Sequence, residues 1–301
     1  TARQGIEVGA RPGVAASISV DGNMIISGIS TLGSTSFTAD ATVNGVTVGK
    51  GANSGSQNTA VGVNALDAIT TGSPNSAFGY NALTDNTTGQ YNTAVGREAL
   101  ANNTTASSNT GIGNYALGAN TTGTYNTAVG AYPLDANTTG SYNTGIGGGA
   151  LGANTTADNN TAVGYEALGA NTTGTRNCAF GYQALDANTT ASDNDAFGAY
   201  ALGAVVTGTR NSAFGRSALQ ENTGDDNIAV GHEALKVNTT GSKNAAFAPY
   251  ALDANTTGVS NIALGYQALS QNTTGNYNIA IGDQALYTQT TGGTDNVAIG
   301  R

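Results

Sequence analysis

The chain has 301 residues, 44 of them glycine and only 10% charged, with no Trp and a single His, Cys and Met (His232, Cys178, Met24). So little charge excludes a heptad coiled coil, glycine without a strict three-residue period excludes collagen, and one Cys excludes a disulfide scaffold or a cysteine-rich zinc domain. No apolar run approaches the ~20 residues of a membrane helix, and a net charge of −9 disfavours nucleic acid, whose phosphates need a positive groove.

Thr1 is followed by no basic-then-apolar leader, so the chain is expected to be processed or to belong to something longer. Residues 1–43 carry no repeat. Ser17-Ile18-Ser19-Val20, Met24-Ile25-Ile26-Ser27 and Ser36-Phe37-Thr38-Ala39, broken by Asp21-Gly22 and Gly28, predict short strands of a β shaft or attachment segment. Residues 44–57 read as a shorter first coil, and residues 58–301 as a rod.

The rod is a repeat of the form N-T-A-V-G-Y-x-A-L-x-A-N-T-T-G-x-x, and such a period defines the architecture before any local feature does. The leading Asn recurs every 17 residues from Asn58 to Asn296, except for a step of 16 after Asn211 and of 18 after Asn278. Both irregular steps fall in the N-T-T-G stretch and leave the N-x-A-φ-G and A-L blocks intact. Length changes belong to surface turns, so N-T-T-G is expected to be an outward turn. Seventeen residues are too short for two helices, and a recurring glycine would cost each helix ~1 kcal/mol. A coil of two short strands, stacked in parallel at about 4.8 Å per coil, fits the repeat. The fold class is therefore all-β, a parallel β-solenoid.

Numbering each coil from its leading Asn, position 4 is apolar throughout (Val61, Val95, Val163, Phe180, Ile281 among others), and position 9 is always Leu (Leu66, Leu100, Leu168, Leu185, Leu286 among others). These are the expected core. Strand side chains alternate, so positions 3 and 5 share the other face. There Ala94, Gly96, Ala162, Gly164, Ala280 and Gly282 are uniformly small, which implies close approach of another backbone and marks an expected subunit interface. Two large apolar side chains per coil make a thin core, so association is expected.

No catalytic centre, cofactor site or metal site is predicted. His232 occupies the variable position 6, and Cys178 takes position 2, where Thr, Ser and Ile also occur. Asp67, Asp135, Asp186 and Asp253 sit at position 10 of non-adjacent coils and form no calcium-binding motif. Asn at positions 1 and 12 is expected to build amide ladders; N-T-T also matches the glycosylation sequon. Tyr80, Tyr165, Tyr182 and Tyr266 at position 6 could stack on glycan rings, against the plainer reading that they cover turns and subunit seams. Regular Thr-Thr rows raise an ice-binding solenoid as a further alternative.

Asn278-Ile279-Ala280-Ile281-Gly282 and Asn296-Val297-Ala298-Ile299-Gly300 resemble the N-S-V-A-I-G signature of YadA-like heads of trimeric autotransporter adhesins. That resemblance implies a left-handed β-roll and a homotrimer, with 17-residue coils in place of the usual 14. Asn44-Gly45-Val46-Thr47-Val48-Gly49-Lys50-Gly51-Ala52, leading into Asn58-Thr59-Ala60-Val61-Gly62, is similar to tail-fibre proteins of bacteriophages, particularly marine and cyanobacterial ones. The resemblance covers nearly the whole chain. It implies a virion host-attachment fibre, or alternatively a bacterial cell-surface adhesin head. Expected partners are a homotrimer, a virion or cell-surface anchor at one end, and a host glycan or protein receptor, with no membrane insertion. The stub ending at Gly300-Arg301 lacks the Leu of its coil, so further sequence, or a cleaved assembly module as in such fibres, is expected beyond it.

Overall fold

The computed structural model describes residues 15–18, 24–27, 41–43, 46–52, 57–288 and 292–301. The chain divides into two units, residues 1–39 and 40–301. In the first, β1 (Ala15–Ile18) and β2 (Met24–Ser27) pair antiparallel, Ala15 opposite Ser27. The second strand lies where the sequence places it, the first is shifted two residues toward the N-terminus, and the strand expected at 36–39 falls outside the described residues.

The second unit is a parallel β-solenoid. It opens with β3 (Ala41–Val43) and β4 (Val46–Gly49), paired antiparallel. β4 is also antiparallel to β5 (Thr59–Gly62), so this segment is a hairpin laid on the first rung and not the shorter coil expected for 44–57. The Asn44-Gly45 dipeptide between β3 and β4 is a common hairpin signal in sequences. From β5 onward each coil contributes one strand at positions 2–4, in unbroken parallel register: Thr144 opposite Thr161, Thr161 opposite Cys178. The 16-residue coil keeps that register, with Ser212 of β14 (Ser212–Phe214) opposite Ile228 of β15 (Ile228–Val230).

The expected second strand is replaced by a chain of turns. Positions 7 and 9 are left-handed, for example Glu98 (φ 55) and Leu100 (φ 52). This rotates successive peptides so that hydrogen bonds between coils continue around the corner. Gly96 and Glu98 donate back to Phe78 and Tyr80 carbonyls at 2.8 Å, whereas Leu100 and Asn102 donate forward to Ala116 and Gly118 at 3.0 and 3.1 Å. Left-handed Leu costs about 1–2 kcal/mol; full burial of its side chain returns about 2–3 kcal/mol.

Inside the rod lie Asn at position 1, Ala at 3 and 8, Leu at 9 and Asn at 12, all essentially inaccessible in the central coils. The position 4 residues lie outside. Val95 is 38% exposed, and Val61, Val163, Phe180 and Ile281 are half-buried, whereas Leu66, Leu100, Leu168 and Leu185 are fully buried and Leu286 packs on the core from its edge. The facing expected of the strand is therefore reversed. The cause is the narrow section of a 17-residue coil: two amide columns and one Leu column leave room at position 3 only for Ala or Gly.

The smallness of positions 3 and 5, expected to mark a subunit interface, is accounted for by packing within one chain. Ala94, Ala162 and Ala280 are sealed within their own chain. Gly96, Gly164 and Gly282 adopt φ of +135°, +140° and +133°, and a Cβ there would fall on the carbonyl of the glycine one coil later. The approaching backbone is the next coil of the same molecule.

Two amide ladders run through the interior. In the first, Asn92 N donates to Asn75 Oδ1 (2.9 Å), and Asn92 Nδ2 to Ala106 O (2.8 Å). In the second, Asn103 Nδ2 donates to Asn86 Oδ1 and to the same Ala106 carbonyl, both at 3.0 Å. Asn offers donor and acceptor together; aspartate would stack like charges at each rung. N-T-T-G is thus not a simple outward turn. Its Asn is buried, and its first Thr hydroxyl donates to the next coil's carbonyl, as Thr104 does to Thr121 O at 3.2 Å. In ordinary coils only the second Thr projects, as do Thr88 and Thr105.

The second ladder breaks at position 12 of one coil, where Val205 is fully buried and Asn188 Oδ1 is left without a partner. A buried unpaired acceptor costs about 1–3 kcal/mol. Val205→Asn is expected to restore the rung and stabilise the rod by about 1 kcal/mol. A urea midpoint that does not rise would sink that account.

Candidate functional site

Because position 4 points outward, it builds a column of Val, Ile, Leu and Phe side chains along one face. Phe78, Val95, Ile112, Ile146, Phe214, Val230, Phe247 and Leu264 are each 37–47% exposed in the single chain. Phe180, Phe197 and Phe214 stack face to face at 5.1 and 4.9 Å, as in-register parallel strands impose on identical residues. Position 2 lies on the same face. It is Thr or Ser in the earlier coils and becomes Ile228, Ile262, Ile279 and Val297 in the later ones, which widens the column to two files. Exposure of this extent, on the order of 10³ Å², exceeds the few hundred Å² that monomeric soluble proteins present.

Asp195 at position 2 is the acidic interruption of this face, and partial burial pushes its carboxyl pKa up. Cys178 is its neighbour one coil earlier, half-buried and free, with its thiol also raised by burial.

The corner after the strand carries the tyrosines. Tyr80, Tyr165, Tyr182 and Tyr266 are about half exposed. The structure does not gather them into one surface, but it stacks Tyr165 on Tyr182, and Tyr115 on Tyr132. His232 sits on the same rim, within 3.4 Å of an Arg216 nitrogen and 3.7 Å of a Glu233 oxygen. Among the described residues no group of His, Cys, Asp and Glu is placed to hold a metal ion, and no helix is long and apolar enough to cross a membrane. At position 17, Arg176 and Arg210 form two-pronged ion pairs with Asp193 and Asp226 one coil on. These hold both carboxyls below the usual range, but exposed pairs of this kind contribute little.

Asp135, Asp186 and Asp253 at position 10 are half-buried, and desolvation raises their pKa. Asp253 also keeps one oxygen unpartnered. A carboxyl with a raised folded pKa binds more protons folded than unfolded. Its penalty is therefore present at neutral pH and relieved as the pH falls toward the unfolded value of about 4. Asp253→Asn is expected to raise the denaturation midpoint at pH 7 and to flatten its rise on mild acidification. An unchanged pH profile would remove the assignment.

The threonine rows do not make a broad uniform face. In most coils the first Thr hydroxyl is used inside the wall; the first Thr gives way to Val206 in one coil, and the second is missing from the 16-residue coil. Comparison of the chain with protein-family models, with curated proteins and with solved structures returns no match, so the functional reading rests on the geometry.

Proposed function

We propose that this chain is the rod of an extracellular attachment fibre, in which identical copies lie side by side in parallel and join through the outward strand face. The observation that carries the reading is the apolar column itself. A partner that covers it must match a spacing of about 4.8 Å over its whole length, including one short coil and one long one, and a second copy of the same chain does so in register. Three copies around an axis is the arrangement that the likeness to YadA-like heads implies. The repeat and its upstream junction favour a bacteriophage tail fibre, with a bacterial surface adhesin as the alternative. The reading assigns the chain no catalysis: its conspicuous features are a wall, an apolar seam and an aromatic rim.

Sedimentation of residues 1–301 tests the assembly. The expected species is a trimer, converted to a folded monomer by Val163→Asp with Phe197→Asp, and Asp195→Ile is expected to tighten it. A wild-type chain that stays a stable monomer at micromolar concentration overturns the reading. Antibodies against the rod distinguish its two forms, by labelling virion tails or bacterial surfaces.

A further inference from the structure

Positions 6 and 7 form the rim beside the strand, and every full coil carries at least one side chain there except residues 143–159, where Gly148 and Gly149 fill both places. On one side of this coil Tyr132 stacks on Tyr115, with centroids 5.4 Å and planes 10° apart; on the other, Tyr165 stacks on Tyr182 at 5.7 Å and 13°. Tyr132 and Tyr165 belong to coils two steps apart, about 9.6 Å along the axis. The coil between them supplies backbone and no ring.

A slot of about 280 Å³ opens there, walled by Tyr132 and Tyr165, floored by Gly148 and Gly149 and bounded by Glu166. Beyond Glu166 lies a second hollow of about 360 Å³, over Gly152 and Gly169, that reaches Asp186. The two share Gly149 and Glu166 and form one open depression along the rim. The Tyr165 ring lies over Gly148, 3.4 Å from where a Cβ would stand. Glu166 is held in position by Gln183, whose Nε2 donates to its Oε2 at 2.7 Å.

These features specify an occupant. Tyr132 stands at position 7 and Tyr165 at position 6, two columns whose rings meet edge-on elsewhere (Tyr182 with Tyr200 at 72°, Tyr250 with Tyr266 at 88°), so a ring in the slot packs against the face of one tyrosine and the edge of the other. Its walls are tyrosine rings, and the neighbouring polar groups, Glu166 and Asp186, are carboxylates that accept hydrogen bonds when ionised. No basic residue lines either hollow, so a phosphate- or carboxylate-bearing ligand would be repelled. A pyranose has an apolar C–H face and a rim of hydroxyl donors. An organic cation could use the ring faces but, if quaternary, brings no donors for the carboxylates.

We infer that residues 143–159 form a saccharide-binding slot. A neutral pyranose takes the place of the missing rung between Tyr132 and Tyr165, and its hydroxyls donate to Glu166 and Asp186. The inference deepens the attachment reading, on which its biological role rests, by giving it a ligand class and a place on the rod.

The test is tyrosine-fluorescence and saturation-transfer NMR titration of residues 1–301 with cellotriose, maltotriose, mannotriose, galactotriose and chitotriose, and with choline as the cationic probe. The expected result is saturable binding of at least one sugar with Kd below about 1 mM. Gly148→Tyr, which restores a side chain that other coils carry at position 6, and Tyr165→Ala should each weaken it at least about tenfold, while Tyr266→Ala leaves it unchanged. Absence of saturable binding by all five sugars, binding of choline alone, or binding that survives Gly148→Tyr overturns the inference. Sedimentation of the same samples separates the outcomes: a trimer that binds no sugar refutes the slot and leaves the fibre reading standing.

Discussion

Leu168→Asp is expected to cost about 3–5 kcal/mol, the range for an unpaired charge left in a protein interior. Leu168 is fully buried in the column that runs from Leu151 to Leu185, between the Ala columns of positions 3 and 8, and no cation lies in that interior to pair with a carboxylate. Aspartate tolerates the left-handed backbone (φ 52) better than leucine does, which offsets only a small part. In a solenoid each coil is held by its neighbours, so the damage should spread to coils on both sides. Urea denaturation should show a lower midpoint, and hydrogen exchange should show lost protection around residues 151–185. The comparison with Val163→Asp is diagnostic. Val163 faces outward, so in a monomer that change should have little effect, although it disrupts assembly. Equal damage from both would mean that the strand faces are assigned the wrong way round.

That facing is also where reading the sequence reaches its limit. Alternation establishes that positions 2 and 4 share one face and positions 3 and 5 the other; it does not say which face is inside. The bulk of Val95 or Phe180 suggests a core, but the room left inside a 17-residue coil decides otherwise, and Ala94 takes the buried place. A signal was present in Asn at position 1. It shares the face of position 3, and an amide ladder is most valuable where water is excluded. The period, the solenoid class, the ladders and the site of length variation follow from the repeat alone. The single strand per coil does not, because the left-handed corner is built on Leu at position 9, and left-handed backbone usually announces itself through Gly or Asn. The slot at Gly148 and Gly149 becomes legible only once positions 6 and 7 are known to form a continuous rim.

Gly164→Val is expected to cost about as much as the Leu168 change, and to act within one chain. Two effects add. Gly164 has φ +140°, a region nearly reserved for glycine, where another residue costs about 1–3 kcal/mol. A Cβ there would also fall on Gly181 O and within 2.7 Å of its carbonyl carbon. Relieving that overlap pushes the next coil away and strains the bond from Gly181 N to Val163 O, 2.9 Å in the intact rod; overpacking of this kind costs about 1–3 kcal/mol more. Ala248 occupies the same column at φ 134°, so a methyl group can be accommodated there, and Gly164→Ala should be the milder change. Valine adds two methyl groups against backbone that has no rotamer to move into. The measurement belongs in a monomeric background, with Val163→Asp and Phe197→Asp already present, so that lost assembly cannot be mistaken for lost folding. A sharply lowered midpoint there means that the glycine column seals successive coils of one chain to each other. An unchanged midpoint, with loss of the trimer when valine is introduced into the otherwise wild-type chain, would return the column to the subunit interface.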